Sequence, residues 1–322
     1  MKAWKKLTAL CLLSLAVLGS AIAQNFPAEA VKIIVPFPPG GATDILARQV
    51  ANELGLKWGV PVVVDNRSGA SGMIGSEQLV QSRPDGYTLM VTATHHVINP
   101  SLYKNLKYDT RKDFTPIALI ASVPNVLVVN PSLPVKSVQE LIKYAKDHPG
   151  AISFGSTGTG GANHLAGELF KHATGIDIVH VPYRGEAPAL NDLIGGHIPM
   201  MFDSLPGVIQ HIRSGKLRAL GVTSLKRASA APDIPTIDES GVKGFDAIAW
   251  FGMYAPGGMP ADLTRKISTD VLDVLRSPRI RTQFAAQGAE PGTLSQPEFV
   301  NFVNAEIAKW GKVIATANIK LN

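Results

Sequence analysis

Short β-branched runs alternate along this chain with longer stretches whose apolar positions recur at helical spacing. The first run is Val31 to Val35. Pro36, Pro38 and Pro39 then remove backbone donors and stop the strand, while Gly40 and Gly41 permit positive φ and close backbone approach. Thr43 or Asp44 is placed to N-cap a helix carrying Ile45, Leu46, Val50 and Leu54. A second strand is expected over Pro61 to Val64, then N-R-S-G-A-S-G (Asn66 to Gly72) and a short helix around Ile74, Leu79 and Val80 that Pro84 ends. A third strand, Tyr87 to Val91, runs on through Thr92-Ala93-Thr94. On an extended chain the next residues, His95 and His96, point apart. Strands and helices alternating in this way predict βαβ units with a parallel sheet, whose ligands sit at the carboxyl ends of the strands.

From Ile117 to Val129 the rhythm gives way to a nearly continuous apolar extended run, which reads as a crossing into a second domain. Ser137 and Glu140 have capping-box spacing ahead of a helix with Leu141, Ile142 and Ala145 on one face. The βαβ rhythm then resumes with strands at Ala151 to Gly155, Ile178 to Val181, Ile198 to Phe202 and Leu217 to Val222. Helices are expected from about Asn163 to Ala173, from Ala187 to Ile194, and from Leu205 to Arg213. Lys226 to Gly244 reads as a connecting loop, and Ala247 to Ala255 as a second extended run that pairs with the first crossing. Three helices, beginning near Pro260, Pro278 and Ser295, finish the chain. The predicted fold is α/β: two βαβ domains joined by two extended crossings, a hinged clamshell of the type II periplasmic binding architecture. Residues 24–122 with 228–322 form one domain and 123–227 the other.

The stretch from Val31 to Asp44 ends in a helix N-terminus whose first-turn N–H groups lack partners, a setting that favours an anion. An ordinary strand-turn-helix connection has the same pattern. F-G-S-T-G-T-G-G-A-N-H-L (Phe154 to Leu165) is its counterpart in the second domain, with hydroxyls at Ser156 and Thr157 and His164 orienting the glycine-rich loop. Two such loops facing across a hinge can grip a carboxylate-bearing molecule. As a dinucleotide fingerprint the loop fails, because Asn163 holds the third glycine position. Tyr183, Arg184 and Gly185 should lie on the same rim. Arg184 suits a bidentate carboxylate contact and equally a solvated rim. Asp203, after the strand ending at Phe202, suits an amine, an ordered water or a plain helix cap. No G-x-S-x-G elbow and no metal-binding histidine spacing occurs.

The opening stretch, N-R-S-G-A-S-G, P-D-G-Y-T-L (Pro84 to Leu89), the glycine-rich loop, P-Y-R-G (Pro182 to Gly185) and W-F-G-M-Y-A-P (Trp250 to Pro256) together resemble one family across the mature chain. These are the Bug-type extracytoplasmic solute receptors, the periplasmic binding components of tripartite tricarboxylate transport systems. The resemblance implies a monomeric binding protein, not an enzyme, that closes on a small carboxylated solute and delivers it to an inner-membrane transporter. It implies organic acids as ligands, recognised through backbone amides, hydroxyls and ordered waters, with no cofactor and no metal. Phe37, Gly40, Gly41, Thr43, Asp44, Thr92, Ser156, Thr157, His164, Tyr183, Gly185 and Asp203 are the expected ligand-binding positions. A receptor that docks on a sensor kinase would have the same cleft, and a hydrolase or lyase would need turnover of an acid.

Composition narrows the setting. Lys2, Lys5 and Lys6, the apolar run from Leu7 to Val17 and Ala21-Ile22-Ala23 form the pattern of a signal peptide cleaved after Ala23, which predicts a periplasmic protein. Cys11, the only cysteine, leaves with that segment, so the mature chain has no disulfide or thiolate chemistry. The segment also removes three lysines and no acid, leaving 28 bases against 25 acids. With no basic stripe among aromatics, nucleic acid is not an expected partner.

Overall fold

The computed structural model describes residues 26–316 and residue 319. The expected signal segment, its cleavage point and Cys11 lie outside the described residues. β1 (Val31–Val35), α1 (Ala42–Trp58), β2 (Val62–Asn66), α2 (Met73–Val80) and β3 (Thr88–Ala93) follow the expected opening rhythm, and β1 pairs in parallel with both β2 and β3. Val31, Ile33 and Val35 enter one core while Ile34 enters another on the opposite face. Burial on both faces is why this strand reads as a continuous apolar run rather than an alternating one.

Two local expectations are corrected. Gly41, not Thr43 or Asp44, is the N-cap of α1. Asp44 stands in the first turn and reaches back, its Oδ2 accepting the Gly40 N–H at 3.0 Å. After β3 the chain does not stay extended but turns at Thr94 into α3 (His95–Leu102). Val97 and Ile98 are fully buried in the core beside Trp310 and Phe299, and this packing overrides a weak local helix preference. His95 and His96 are therefore neighbours in a helical first turn.

β4 (Phe114–Val129) spans the molecule. Its first half pairs antiparallel with β9 (Ile248–Pro256), and its second half with β7 (Met200–Ser204) and β8 (Arg218–Val222). α4 (Val138–Asp147), β5 (Ile152–Ser156), α5 (Ala162–Thr174), β6 (Ile178–Pro182), α6 (Glu186–Gly195) and α7 (Leu205–Arg213) build the second lobe. α8 (Ala261–Arg276), α9 (Pro278–Ala286), the two-residue β10 (Glu290–Pro291) and α10 (Gln296–Thr316) return to the first. Strand order is β2-β1-β3-β9-β4-β7-β5-β6, with β8 and β10 also on β4. Pairing is parallel within the βαβ wings and antiparallel at the centre, where the crossings oppose their neighbours. The fold is the expected α/β clamshell of two βαβ lobes joined by extended crossings. One face of β4 contributes Ile117, Ile120, Val126 and Val128 to a single core that runs under both lobes.

The lobes join at a buried knot. Asn125 N–H donates to Thr223 Oγ1 at 3.0 Å, Thr223 N–H donates to Asn125 O at 2.8 Å, and Thr223 Oγ1 in turn donates to Ala247 O at 2.9 Å. Asn125 and Thr223 are both fully buried. Thr223→Val keeps the shape and removes the hydroxyl, leaving the Asn125 N–H unpaired. Urea unfolding of that variant should show a loss of about 1–3 kcal/mol; an unchanged midpoint would mean that the knot adds nothing to stability.

Candidate functional site

Between the lobes, at the carboxyl ends of β1, β5, β6 and β7, lies a pocket that is open to solvent at its mouth. First-turn or capping residues of five helices border it: Gly41 and Ala42 of α1, His95 of α3, Ala162 and Asn163 of α5, Gly185 and Glu186 of α6, and Ser204 before α7. None of these five helices has a side-chain cap. α4 and α9, which do not border the pocket, are capped by Ser137 and Ser277. Three of the five N-caps are glycines, and Gly185 needs its freedom, with φ at 121° and Pro38 packed against it. First-turn N–H groups and the positive ends of the helix dipoles thus face one volume. Among the described residues neither Lys nor Arg lines it.

The side chains fall into three sets. Asp44 is buried, and although burial works to raise its pKa, hydrogen bonds from Arg48, Gly40 N–H and Asn66 outweigh that and hold it below the usual carboxylate range. His95 is buried with neither ring nitrogen bonded to protein. Burial pushes it down to about 4, so it is neutral. Glu186 reaches across the cleft, where its Oε2 accepts the Ala42 N–H at 3.1 Å. Burial raises its pKa to about 7 against the pull of that N–H. Behind it Asp203 is fully buried, and burial, then repulsion from Glu186, raises its pKa well above the usual range.

The expected site residues divide between the wall and the layer behind it. Phe37, Gly41, Thr43, Asp44, Thr157 and Gly185 line the pocket. Tyr183 borders the outer groove that continues from it, but its hydroxyl donates to Asp192 at 2.7 Å and so faces α6, the helix that follows it. Gly40, Thr92, Ser156, His164 and Asp203 do not line the pocket. Thr92 is buried in β3 opposite Gly252. Ser156 Oγ lies 2.7 Å from His180 Nε2, whose ring stacks on His164 at 3.9 Å. His164 Nδ1 accepts the Gly160 N–H at 3.1 Å, the loop-orienting part read from its position. Asp203 lies within β7 opposite Val126, so it is not a helix cap; Ser204 occupies that position. Arg184 is exposed on the outer groove.

His95, Asn163, Glu186 and Phe251 are wall residues that the sequence did not single out. Asn163 ties the wall to the acid behind it, accepting from Thr157 Oγ1 at 3.0 Å and donating to Asp203 Oδ1 at 3.1 Å. The available signal for Glu186 was its place directly after the glycine that opens a cleft-facing helix.

The family model of the tripartite tricarboxylate transporter family receptor matches residues 46–319. The chain belongs to that receptor family. Protein BugT of Bordetella pertussis is 38% identical over 93% of this chain and 92% of its own. The structure of Rpa4515 from R. palustris with adipate is 40% identical, has a TM-score of 0.89 and covers 92% of this chain and 99% of its own. MatC from Rhodopseudomonas palustris with bound malate is 30% identical with a TM-score of 0.84, covering 90% and all of the two chains (100%). As a member of this family the chain is a periplasmic solute receptor and not an enzyme. Among the described residues no helix is long and apolar enough to cross a membrane.

Glu186 gives the receptor a pH signature. Its folded pKa lies above its unfolded value near 4.5, so between there and about pH 7 the folded state keeps a proton that the unfolded chain releases. Stability therefore falls as pH rises through that window. Glu186→Gln should remove this part of the fall and melt above the wild type at about pH 8; parallel profiles for the two proteins would show that burial does not act on this group.

Proposed function

We propose that this receptor, as a monomer, closes its two lobes around a small carboxylated solute and hands it to a tripartite inner-membrane transporter. The observation that carries the reading is the convergence of uncapped helix N-termini on a pocket without a lysine or arginine. Such a site stabilises an anion through backbone donors rather than an ion pair. That neighbours of the same fold hold adipate and malate supports the ligand class. Membership of the receptor family supports the transporter as partner, and the pattern from Lys2 to Ala23 supports export through a cleaved signal. The proposed ligand-binding set is Phe37, Gly41, Thr43, Asp44, Thr157 and Gly185, joined by His95, Asn163 and Glu186. We place the lobe boundaries at Pro124-Asn125 and at Ala247, because Ile237, Val242 and Phe245 pack with Phe154 and Phe170 of the second lobe.

A thermal-shift screen of C4 to C6 mono- and dicarboxylates tests the ligand class, since a ligand specific to the folded state adds about 2.7 kcal/mol at a hundred times its Kd. No shift with any acid would remove the carboxylate reading. Gly41 has an ordinary backbone conformation, and a side chain there meets Glu186 across the cleft. Gly41→Val should abolish binding with an unchanged circular dichroism spectrum. Arg184→Ala, at an exposed rim position, should weaken binding by less than about fivefold. A much larger loss for Arg184→Ala beside retained binding in Gly41→Val would move recognition to one rim cation.

A further inference from the structure

This inference rests on the carboxylate reading and concerns which carboxylates enter. Two of the helix N-termini that face the pocket, from opposite lobes, converge on a side chain of the protein itself. Glu186 Oε2 accepts the Ala42 N–H in the first turn of α1. The same carboxylate fills the space over Gly207 in the first turn of α7, where any Cβ would overlap it. Behind Glu186, Asp203 has Oδ1 held by Asn163 Nδ2 and Ser204 N–H, whereas its buried Oδ2 has no protein partner. Across the pocket Asp44 is already committed to Gly40, Arg48 and Asn66. His95, neutral and buried, presents two nitrogens with no protein partner.

The charge around the pocket is therefore unbalanced in a specific way. Donors for one carboxylate are plentiful on the remaining helix N-termini and on His95. A second carboxylate brought near Glu186 would meet like charge with no lysine or arginine in the lining to offset it. We propose that Glu186 is the selectivity-determining residue of this receptor and that its solute carries, beside a carboxylate, a hydrogen-bond donor that reaches the Glu186 carboxylate. The donor is an ammonium or a hydroxyl group. Fully ionised diacids that lack it are poor ligands.

Calorimetry at about pH 8 with two matched series separates the sources: succinate, malate and aspartate, and adipate with 2-hydroxyadipate and 2-aminoadipate. In the wild type, at least one donor-bearing acid should bind about tenfold or more tighter than its donor-free parent, the size expected for a hydrogen bond to a charged group. The larger gain identifies ammonium or hydroxyl as the natural donor. Glu186→Gln should shrink the ratio to less than about threefold, mainly by improving the donor-free acid. Gly207→Ala keeps the acid but displaces it, and should shrink the ratio in the same direction, which covers a Glu186→Gln protein that fails to fold. A donor-free parent bound as tightly as its derivatives, or a ratio unchanged in both variants, overturns the proposal and leaves the carboxylate site standing. Binding of none of the six acids overturns both.

Discussion

Backbone N–H groups without partners are the constraint on which this receptor depends. Every helix begins with donors that its own turns cannot satisfy; away from the cleft Ser137 meets that need at α4 by accepting the Glu140 N–H at 3.1 Å and Ser277 meets it at α9, while α8 starts without a side-chain cap. At the cleft the cap positions of α1, α5 and α6 are Gly41, Gly161 and Gly185. A glycine cap sacrifices only a few tenths of a kcal/mol relative to serine or asparagine, yet it leaves the donors bare and lets a ligand approach the backbone. The sheet sets where those donors point. Each helix follows a strand, so parallel βαβ units bring their N-termini to the same edge, and two lobes turned face to face bring them to one volume.

Closure as proposed requires the lobes to keep their register while the cleft changes width. β4 runs unbroken through both lobes, and the Asn125-Thr223-Ala247 hydrogen bonds fix the return crossing beside it. Across the mouth Ser71 Oγ donates to Thr159 O at 2.9 Å and Ala42 N–H donates to Glu186, beside apolar packing of Pro38 against Gly185. The hinge is buried and its backbone groups are hydrogen-bonded, with only the Asn125 Oδ1 lacking a protein partner, whereas the mouth carries bonds that water can replace.

Much of this was legible in the sequence because local rules and tertiary packing agree. Val31–Val35 and Leu205–Arg213 form where the residue pattern places a strand and a helix, and Ser137 caps α4 as its spacing implies. The disagreements share a cause. α3 forms because Val97 and Ile98 find a core contributed by α10, a partner two hundred residues away along the chain. Ser156 and Thr157 are adjacent hydroxyls in one loop, yet only Thr157 reaches the pocket, because β5 extends through Ser156 and turns its side chain toward His180. Glu186 looks like any acid that complements a helix dipole in a first turn. What distinguishes it is the helix it answers to, since it bonds the N-terminus of α1 and not its own.

An acid set among anion-binding donors has a physical use. In the closed arrangement a bare N–H on α1 would be an unsatisfied buried donor, and Glu186 satisfies it at 3.1 Å. The glycines at 41 and 207 are the spaces that admit it, one on each lobe. The same charge lowers the affinity of the site for anions in general, because it competes for donors and repels what approaches. A receptor that used only its helix N-termini would accept many acids with similar strength. One that places a carboxylate beside them gives up part of that affinity and gains a difference between acids, since only a solute able to answer Glu186 recovers the loss. Discrimination of this kind comes from an unfavourable element built into the site, not from additional favourable contacts.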